Sequence, residues 1–312
     1  MGIAPAVDPA IVPRAGYSRG GQPMSYNRAP AADLAPWIGR LYATYVDAPA
    51  DHVLDCGLFN DCSMIRIQLR GKWVAETADG TLNMGRSALL FGPNTRLMPV
   101  SVTGGFTSVG LSLRPGMGYA LFRKFTADYV DRLAPCEEFG LPVAEALDWL
   151  EQCDDGEAAL QYVENIMRAV VAQAEGRQPD PVTTAFERIT LTNPALDVAE
   201  CARQCGVDRK RLERLVVRDF GMSPKQVLRR ARALDMAAHL RGVADADEAN
   251  ELALRYYDQS HLIREFSELF GMSPRQFVAR PLPVLTLALE SRQAKRLEAL
   301  ARLAPGAQRP WQ

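Results

Sequence analysis

Apolar and polar residues alternate with a period of two between residues 51 and 113, which predicts a β-rich region. Turn signals such as Asp79-Gly80 and Gly92-Pro93-Asn94 separate the alternating runs. Gly71 and Gly104-Gly105 each lie between two runs, which predicts a hairpin turn at both places. The candidate strands are 64–69, 72–76, 88–91, 95–102 and 106–113. Several short strands with such turns are typical of a small antiparallel barrel or sandwich.

On both sides of this region the apolar residues recur at helical spacing. Before it, Leu34, Trp37, Ile38 and Leu41 predict a short amphipathic helix within residues 31–45. After it, the spacing predicts helices at residues 117–125 and across 142–175. A polar linker with two prolines, residues 176–181, then indicates a domain boundary.

The C-terminal half contains a tandem repeat. The sequence FGMSPKQ at residues 220–226 recurs as FGMSPRQ at residues 270–276, fifty residues later. Upstream, Leu212 and Arg214 match Leu262 and Arg264 in the same register. A repeat with that period indicates one supersecondary unit used twice.

The first unit has the pattern of two helices joined by a turn. Asp208 is a good N-cap for a helix whose residues Leu212, Leu215, Val216 and Phe220 form one apolar face. Gly221 is suited to end that helix, and Ser223-Pro224 to begin the next one. Before Asp208, the residues Val198, Cys201 and Ala202 form the apolar face of a shorter helix, and Gly206 marks the turn between the two helices. This order predicts a helix-turn-helix in which the helix that begins at Asp208 is the second one and enters the major groove of DNA.

Four segments of this half carry a family resemblance: residues 212–214, 220–224, 232–240 and 257–266. Together they resemble the AraC/XylS family of bacterial transcription regulators over roughly residues 180–280. The resemblance implies an all-α domain with two helix-turn-helix units joined by a long helix. Their recognition helices, at about residues 208–219 and 260–270, would lie in successive segments of the major groove. Residues 224–240 would form a helix of about 26 Å, a reasonable spacer for recognition helices about 34 Å apart.

The resemblance also implies which residues contact DNA. These are Arg209, Lys210, Arg211, Glu213 and Arg214 in the first unit and Gln259, Ser260, His261 and Arg264 in the second. An arginine can bind guanine through two hydrogen bonds, and a glutamate can accept one from cytosine. For Arg214, contact with a base stands beside two alternatives, which are contact with phosphate and pairing with a neighbouring acid.

The second unit departs from the family pattern. The first unit has Gly206 in its turn, whereas no glycine lies between Leu252 and Leu262. Relative to the family, the second turn is about two residues short. Two functional hypotheses follow. The first is a sequence-specific transcription regulator, and the alternative is a ligand-binding or protein-interaction regulator that binds DNA weakly and non-specifically.

A weaker resemblance covers the β-rich half. Residues 26–30, 34–37 and 110–116 resemble a β-rich N-terminal domain that is fused to such regulators. This resemblance implies an effector-sensing or regulatory role. The implied partners are therefore double-stranded DNA and a small-molecule effector in the N-terminal domain, with RNA polymerase and a second copy of the chain as further candidates.

Length and charge are consistent with this organisation. A chain of 312 residues predicts two domains. The net charge is −1, yet residues 208–232 contain nine basic and three acidic residues, as binding to phosphates requires. The expected fold class is α+β and multidomain. The expected division is residues 1–25 disordered, 26–140 sensor, 141–180 helical connector, 181–280 DNA-binding domain and 281–312 helical extension, which docks on the protein itself or on a partner.

Other classes of function are less well supported by the residues. The six cysteines form no CxxC motif, and the three histidines, His52, His239 and His261, have no partner at metal-ligand spacing. No serine stands in the context of a catalytic nucleophile. We therefore expect no enzyme activity, no metal and no cofactor. The chain contains neither a signal peptide nor an apolar run of membrane-spanning length, which predicts a cytoplasmic protein without a membrane partner.

Overall fold

The computed structural model describes residues 4–245, 259–304 and 306–312. Its N-terminal half is built on antiparallel strands, which join into one sheet. The strands are β1 (Val12–Pro13), β2 (Tyr26–Arg28), β3 (Ile38–Asp47), β4 (Val53–Leu58), β5 (Met64–Thr77), β6 (Gly80–Met84), β7 (Ser87–Phe91), β8 (Met98–Leu113) and β9 (Leu133–Pro135). The central order is β1-β3-β8-β5-β7-β9, while β2 pairs with β3, β4 with β8 and β6 with β5.

The predicted hairpin turns at Gly71 and Gly104 are wrong, because each of these glycines lies within one of two long strands that curl the sheet. Both glycines lie inside a strand, β5 and β8 respectively, with φ of +97° and +79°. The register between β5 and β8 shifts beside Gly71. A positive φ is as useful for a bulge as for a hairpin turn, so the sequence alone did not separate the two. The sheet therefore bends where two hairpins were expected.

The helix expected within residues 31–45 is also wrong, because residues 38–47 form strand β3. The first seven residues of β3 are all buried. A strand that is covered on both faces loses the period-two alternation, and its apolar residues can then imitate helical spacing.

The N-terminal residues differ from the expected disorder. Strand β1 pairs with β3, and Ile11 is buried in the inner core of the sheet. The Ala6 amide donates to the Val278 carbonyl at 2.8 Å, and the Arg19 amide donates to the Trp311 carbonyl at 2.9 Å. Residues 4–25 are thus held by backbone hydrogen bonds to distant segments, which composition does not reveal.

Helices cover one face of the sheet. After α1 (Met117–Phe122) and two short 3₁₀ segments, Thr126–Tyr129 and Cys136–Phe139, come α2 (Val143–Glu151) and α3 (Gly156–Gln173). Their apolar residues form one core with Ile65, Val109 and Leu111 of the sheet. A second core, around Trp73 and Phe106, fills the inside of the curled sheet.

The C-terminal half is helical. Its helices are α4 (Pro181–Thr192), α5 (Val198–Gln204), α6 (Arg209–Phe220), α7 (Pro224–Leu240), α8 (Gln259–Phe270), α9 (Pro274–Ala279) and α10 (Pro283–Ala299). Helices α4 to α7 share one core that includes Leu212 and Phe220. Helices α7 to α10 share another, which includes Phe266 and Leu285. The predicted fold class, an antiparallel β-rich region followed by a helical region, is confirmed.

Helix α10, in the extension beyond the tandem repeat, docks on the protein itself. Its residues Val284 and Leu287 belong to the inner core of the sheet, whereas Leu285 and Leu289 pack with the second helical core. Buried ion pairs reinforce this position: Lys295 contacts Glu187 of α4 at 2.6 Å, and Arg292 contacts Asp61 at 2.8 Å. The extension therefore joins the sheet to the helical half.

Candidate nucleic-acid interface

Helix α6, the first of the two predicted recognition helices, begins and ends where its capping residues predict. The Asp208 carboxylate accepts a hydrogen bond from the Arg211 amide at 2.8 Å, as an N-cap should. Gly221 ends the helix in the left-handed conformation, with φ of +76°. The apolar face, which contains Leu212, Leu215, Val216 and Phe220, is buried.

The opposite face presents cations to solvent. Arg209, Lys210, Arg211 and Arg214 are all exposed, and all lie in the first half of α6. The N-terminal residues of a recognition helix are the ones that contact base edges in this type of motif. The structure thus brings these four predicted residues together on one exposed stretch of helix.

Glu213 is engaged by one of these cations. The Arg209 guanidinium donates to its carboxylate at 2.9 Å, one helical turn apart, and the two side chains are 67% and 44% exposed. Such an exposed pair contributes only about 0.3–0.5 kcal/mol. Arg209 and Glu213 can therefore separate at little cost to contact DNA.

Helix α8, the second predicted recognition helix, is present, but less of its surface is described. Arg264 is exposed on it. The side chains of Gln259, Ser260 and His261, and the whole shortened turn before them, lie outside the described residues. The roles of these three residues remain predictions from the family resemblance.

The connecting helix α7 has the predicted bounds, with 17 residues from Pro224 to Leu240. A capping box fixes its start: the Gln226 amide donates to the Ser223 hydroxyl at 3.4 Å, and the Ser223 amide donates to the Gln226 side chain at 3.0 Å. Ser273 and Gln276 form the same capping box at the start of α9. The repeated sequence therefore encodes one repeated helix start.

Several cations of the basic run 208–232 serve the fold instead. Arg232 donates to the Pro194 carbonyl at 3.1 Å and to Glu265 of α8 at 3.2 Å, so it ties the two units together. Arg229 pairs with Glu268 of α8. These contacts hold α7 and α8 together, and the charge count of the sequence therefore overstates the charge available for DNA.

Two further arginines of this run contact the N-terminal half of the protein. Arg230 is buried and donates to the carbonyls of Asn94 at 3.0 Å and Asp61 at 2.6 Å. Burial lowers the pKa of Arg230 to about 10. Arg218 lies over the Tyr119 ring, 4.3 Å from its centroid, and pairs with Asp219 at 2.6 Å.

Sequence reasoning missed one pair of candidate DNA contacts, Lys225 and Arg275. Each follows the repeated Ser-Pro at the start of a helix, and both side chains are exposed. Cations and amides at helix N-termini commonly contact DNA phosphates. The alignment of the two repeats could have identified this pair, since it places a basic residue at the same position twice.

The thiols of the first unit are consistent with a packing role. Cys201 is buried in the core of the unit, and burial raises the pKa of its thiol to about 11. Such a thiol stays protonated and behaves as a small apolar side chain. Within the described residues, no three His, Cys, Asp or Glu side chains are grouped to hold a metal ion.

Comparison with known proteins agrees with this geometry. Residues 201–280 match the family model described as a helix-turn-helix domain. The search of curated proteins finds no match. No helix within the described part of the chain has the length and apolar character needed to cross a membrane.

Solved structures with some likeness include two of ToxT from Vibrio cholerae. The form from strain O395 has 9% identity over 87% of this chain and 98% of that chain, with a TM-score of 0.42. The fatty acid-bound form from strain SCE256 has 10% identity over 88% and 96%, with a TM-score of 0.41. The AraC-like transcriptional activator CuxR has 17% identity over 68% and 86%, with a TM-score of 0.24. Likenesses of this size establish neither the fold nor the function of the protein.

The repeated helix starts, the exposed basic helix and the matched family define a class for residues 201–280, that of the DNA-binding domains of transcription regulators. The helix-turn-helix domain at residues 201–280 is of the AraC type, which confirms the resemblance read from the sequence.

Proposed function

We propose that the protein recognises a specific DNA sequence through α6 and α8, and that its β-rich half controls this binding. The observation that carries the proposal is the exposure of Arg209, Lys210, Arg211 and Arg214 on α6, while the opposite face and the C-terminal end of this helix are packed. A helix held in this way can enter a major groove with its exposed cations facing the DNA.

The connecting helix supports simultaneous binding by both units. Its 17 residues correspond to about 26 Å of rigid helix. The ion pairs of Arg229 and Arg232 with α8 fix α8 on this helix. Recognition helices spaced in this way suit successive major-groove segments on one side of the duplex, which lie about 34 Å apart.

Contacts between the halves support control by the β-rich region. The Phe59 ring packs edge-on against Phe270 of α8 at 5.1 Å, and the Leu97 amide donates to the Leu269 carbonyl at 2.8 Å. At the other unit, Val130 lies against Gly221 at the end of α6. A small-molecule effector that moves the sheet would therefore shift both recognition helices. The protein would carry out this regulation in the bacterial cytoplasm.

Selection of bound sequences from a random DNA pool by the purified protein tests the proposal. We expect enrichment of a motif with two blocks separated by about one turn of DNA, since each unit reads one segment. The number of motif copies also reports whether a second protein copy binds. A pool without an enriched motif, despite retention of DNA by the protein, would favour the alternative of non-specific binding.

A further inference from the structure

A cavity lies where the curled sheet, the connecting helix and the C-terminal helix meet. About 800 Å³ of space is not filled by protein atoms there, a figure that includes the open mouth of the cavity. Tyr42, Phe59 and Phe106 line it from the sheet side, and Leu234 and Leu287 line it from α7 and α10. Its walls are thus largely apolar and belong to both halves of the protein.

One cation in this cavity is uncompensated. Arg66 of β5 is only 5% exposed, and its Nε has no hydrogen-bond partner among the described residues. The contacts of its guanidinium are with ring faces, at 5.5 Å from the Tyr42 centroid and 5.4 Å from the Phe91 centroid. An isolated buried charge destabilises a fold unless an ion or a hydrogen-bonding group compensates it.

The other cations that line the cavity do have carboxylate partners. Lys295 contacts Glu187 at 2.6 Å, Arg40 contacts Glu298 at 2.9 Å, and Arg292 contacts Asp61 at 2.8 Å. Among the described lining residues, Arg66 is therefore the cation whose charge a bound ligand would neutralise.

Asn60 gives a second, independent sign of a ligand. It lines the same cavity, is 4% exposed, and neither its amide nitrogen nor its oxygen has a hydrogen-bond partner among the described residues. Buried polar groups are rarely left in this state, and unsatisfied ones are common at binding sites. Asn60 can donate to one ligand oxygen and accept from a ligand hydroxyl or amide.

We propose that this cavity binds a compact apolar carboxylate, whose charged group meets Arg66 and whose body lies among the aromatic walls. A guanidinium matches a carboxylate through two parallel hydrogen bonds. One uncompensated cation favours a monoanion, and the apolar walls disfavour the strongly hydrated phosphate dianion. The proposal deepens the proposed function, on which it rests for the idea that the ligand is an effector.

The position of the cavity gives such a ligand a route to the DNA-binding helices. The ligand would touch Leu234 of the connecting helix and Leu287 of α10 as well as the sheet. The loop beside the cavity also accepts a hydrogen bond from the connecting helix, because the Asp61 carbonyl bonds to Arg230 at 2.6 Å. Occupancy would thus favour one arrangement of the two halves.

Calorimetric titration of the full-length protein without DNA tests the proposal, so its result is independent of operator binding. The probes are benzoate, phenylacetate and hexanoate, with benzamide and hexanamide as neutral matches and inorganic phosphate as a simple anion. We expect at least one carboxylate to bind with one-to-one stoichiometry and with an affinity about tenfold or more above that of its amide, because charge-assisted hydrogen bonds are the stronger ones. If no carboxylate binds, or if phosphate binds equally well, the proposal is wrong.

Variants of Arg66 separate a ligand-binding role from a structural one. Arg66→Met should lose carboxylate binding, yet melt without ligand at or above the wild-type temperature, because it removes an uncompensated buried charge. Arg66→Lys, which keeps the charge without the planar fork, should bind more weakly than wild type. Arg70→Met is the matched control on the same strand, since Arg70 is exposed and pairs with Asp47 at 2.6 Å; it should bind normally. Unchanged carboxylate affinity in Arg66→Met, or its failure to fold, would contradict the assignment.

Discussion

Arg214 differs from most other arginines of the basic run in what it touches. Arg218, Arg229 and Arg232 each pair with a carboxylate, whereas Arg214 is exposed and pairs with no described residue. The alternative that Arg214 pairs with a neighbouring acid therefore finds no support in the described chain. The two alternatives that remain for Arg214 are contact with a base and contact with phosphate.

Replacement of Arg214 by alanine should weaken binding to the selected DNA sequence by about 1–3 kcal/mol and relax selectivity at one base pair. Fluorescence anisotropy with the selected duplex and its single-base variants measures both effects. Lys72→Ala, which removes one exposed positive charge from the sheet, is the control and should bind as wild type. A uniform loss across all duplexes would instead assign Arg214 to a phosphate.

Lys225 and Arg275 should behave differently from Arg214. Each side chain follows a helix start and is exposed, so we expect both to contact phosphates. Lys225→Ala and Arg275→Ala should each weaken binding to all sequences alike and reduce the salt dependence by about one phosphate contact. The measurement is the slope of log K against log salt for each variant. A change in the preferred base without a change in slope would contradict this role.

Helix α10 connects the two halves of the protein through its packing contacts. Leu285 is fully buried in the core that α10 shares with α7, α8 and α9. Leu285→Ala should lower the free energy of unfolding by about 2–5 kcal/mol, as for other buried leucines. Urea denaturation measures the loss, with Leu82→Ala, at a 38% exposed site on β6, as a control of small effect. Equal losses in the two variants would show that α10 does not contribute to the core.

Local signals predicted the elements whose ends are marked by single residues. Asp208 and Gly221 bounded α6, and Ser223-Pro224 began α7, because caps act on the backbone within one turn. Strand β3 was taken for a helix, since burial on both faces removes the alternation that identifies a strand. Gly71 indicated a change of direction without its kind, because bulges and turns both use positive φ.

The residues of the candidate site were likewise predictable from the sequence only in part. The exposed cations of α6 could be predicted, because their spacing places them opposite the apolar face. The partners of Arg230 could not, since it bonds to the carbonyl of Asn94, 136 residues away in sequence. Arg66 was likewise invisible in the sequence, where it stands in an ordinary alternating strand. Which buried charges find a partner depends on tertiary packing alone.

One buried carboxylate connects three distant segments of the protein. Glu187 of α4 is buried and contacts Lys295 of α10 at 2.6 Å and Arg114, which follows β8, at 2.7 Å. Burial favours its neutral form, yet Lys295 and Arg114 hold the pKa of Glu187 below its usual range. A depressed pKa means that the folded state binds the proton less readily than the unfolded state.

The stability that Glu187 contributes should therefore be present above its unfolded pKa and be lost as the pH falls through its folded pKa. Glu187→Gln leaves Lys295 without a carboxylate, so it should unfold about 3–5 kcal/mol more readily at neutral pH. The difference from wild type should shrink between about pH 5 and pH 3. Urea denaturation across this range measures it. A difference that stays constant with pH would exclude this ion pair as its cause.

Sequence-specific regulation requires that the protein recognise the bases of its DNA site and not only the charge of the phosphates. Titration of its binding to the selected duplex and to a scrambled duplex, over a series of salt concentrations, tests it directly. Phosphate contacts make log K fall linearly with log salt for both duplexes. We expect the selected duplex to bind at least about 10³-fold more tightly at physiological salt, with the gap persisting as salt rises. Equal affinities with the same slope would contradict sequence-specific regulation.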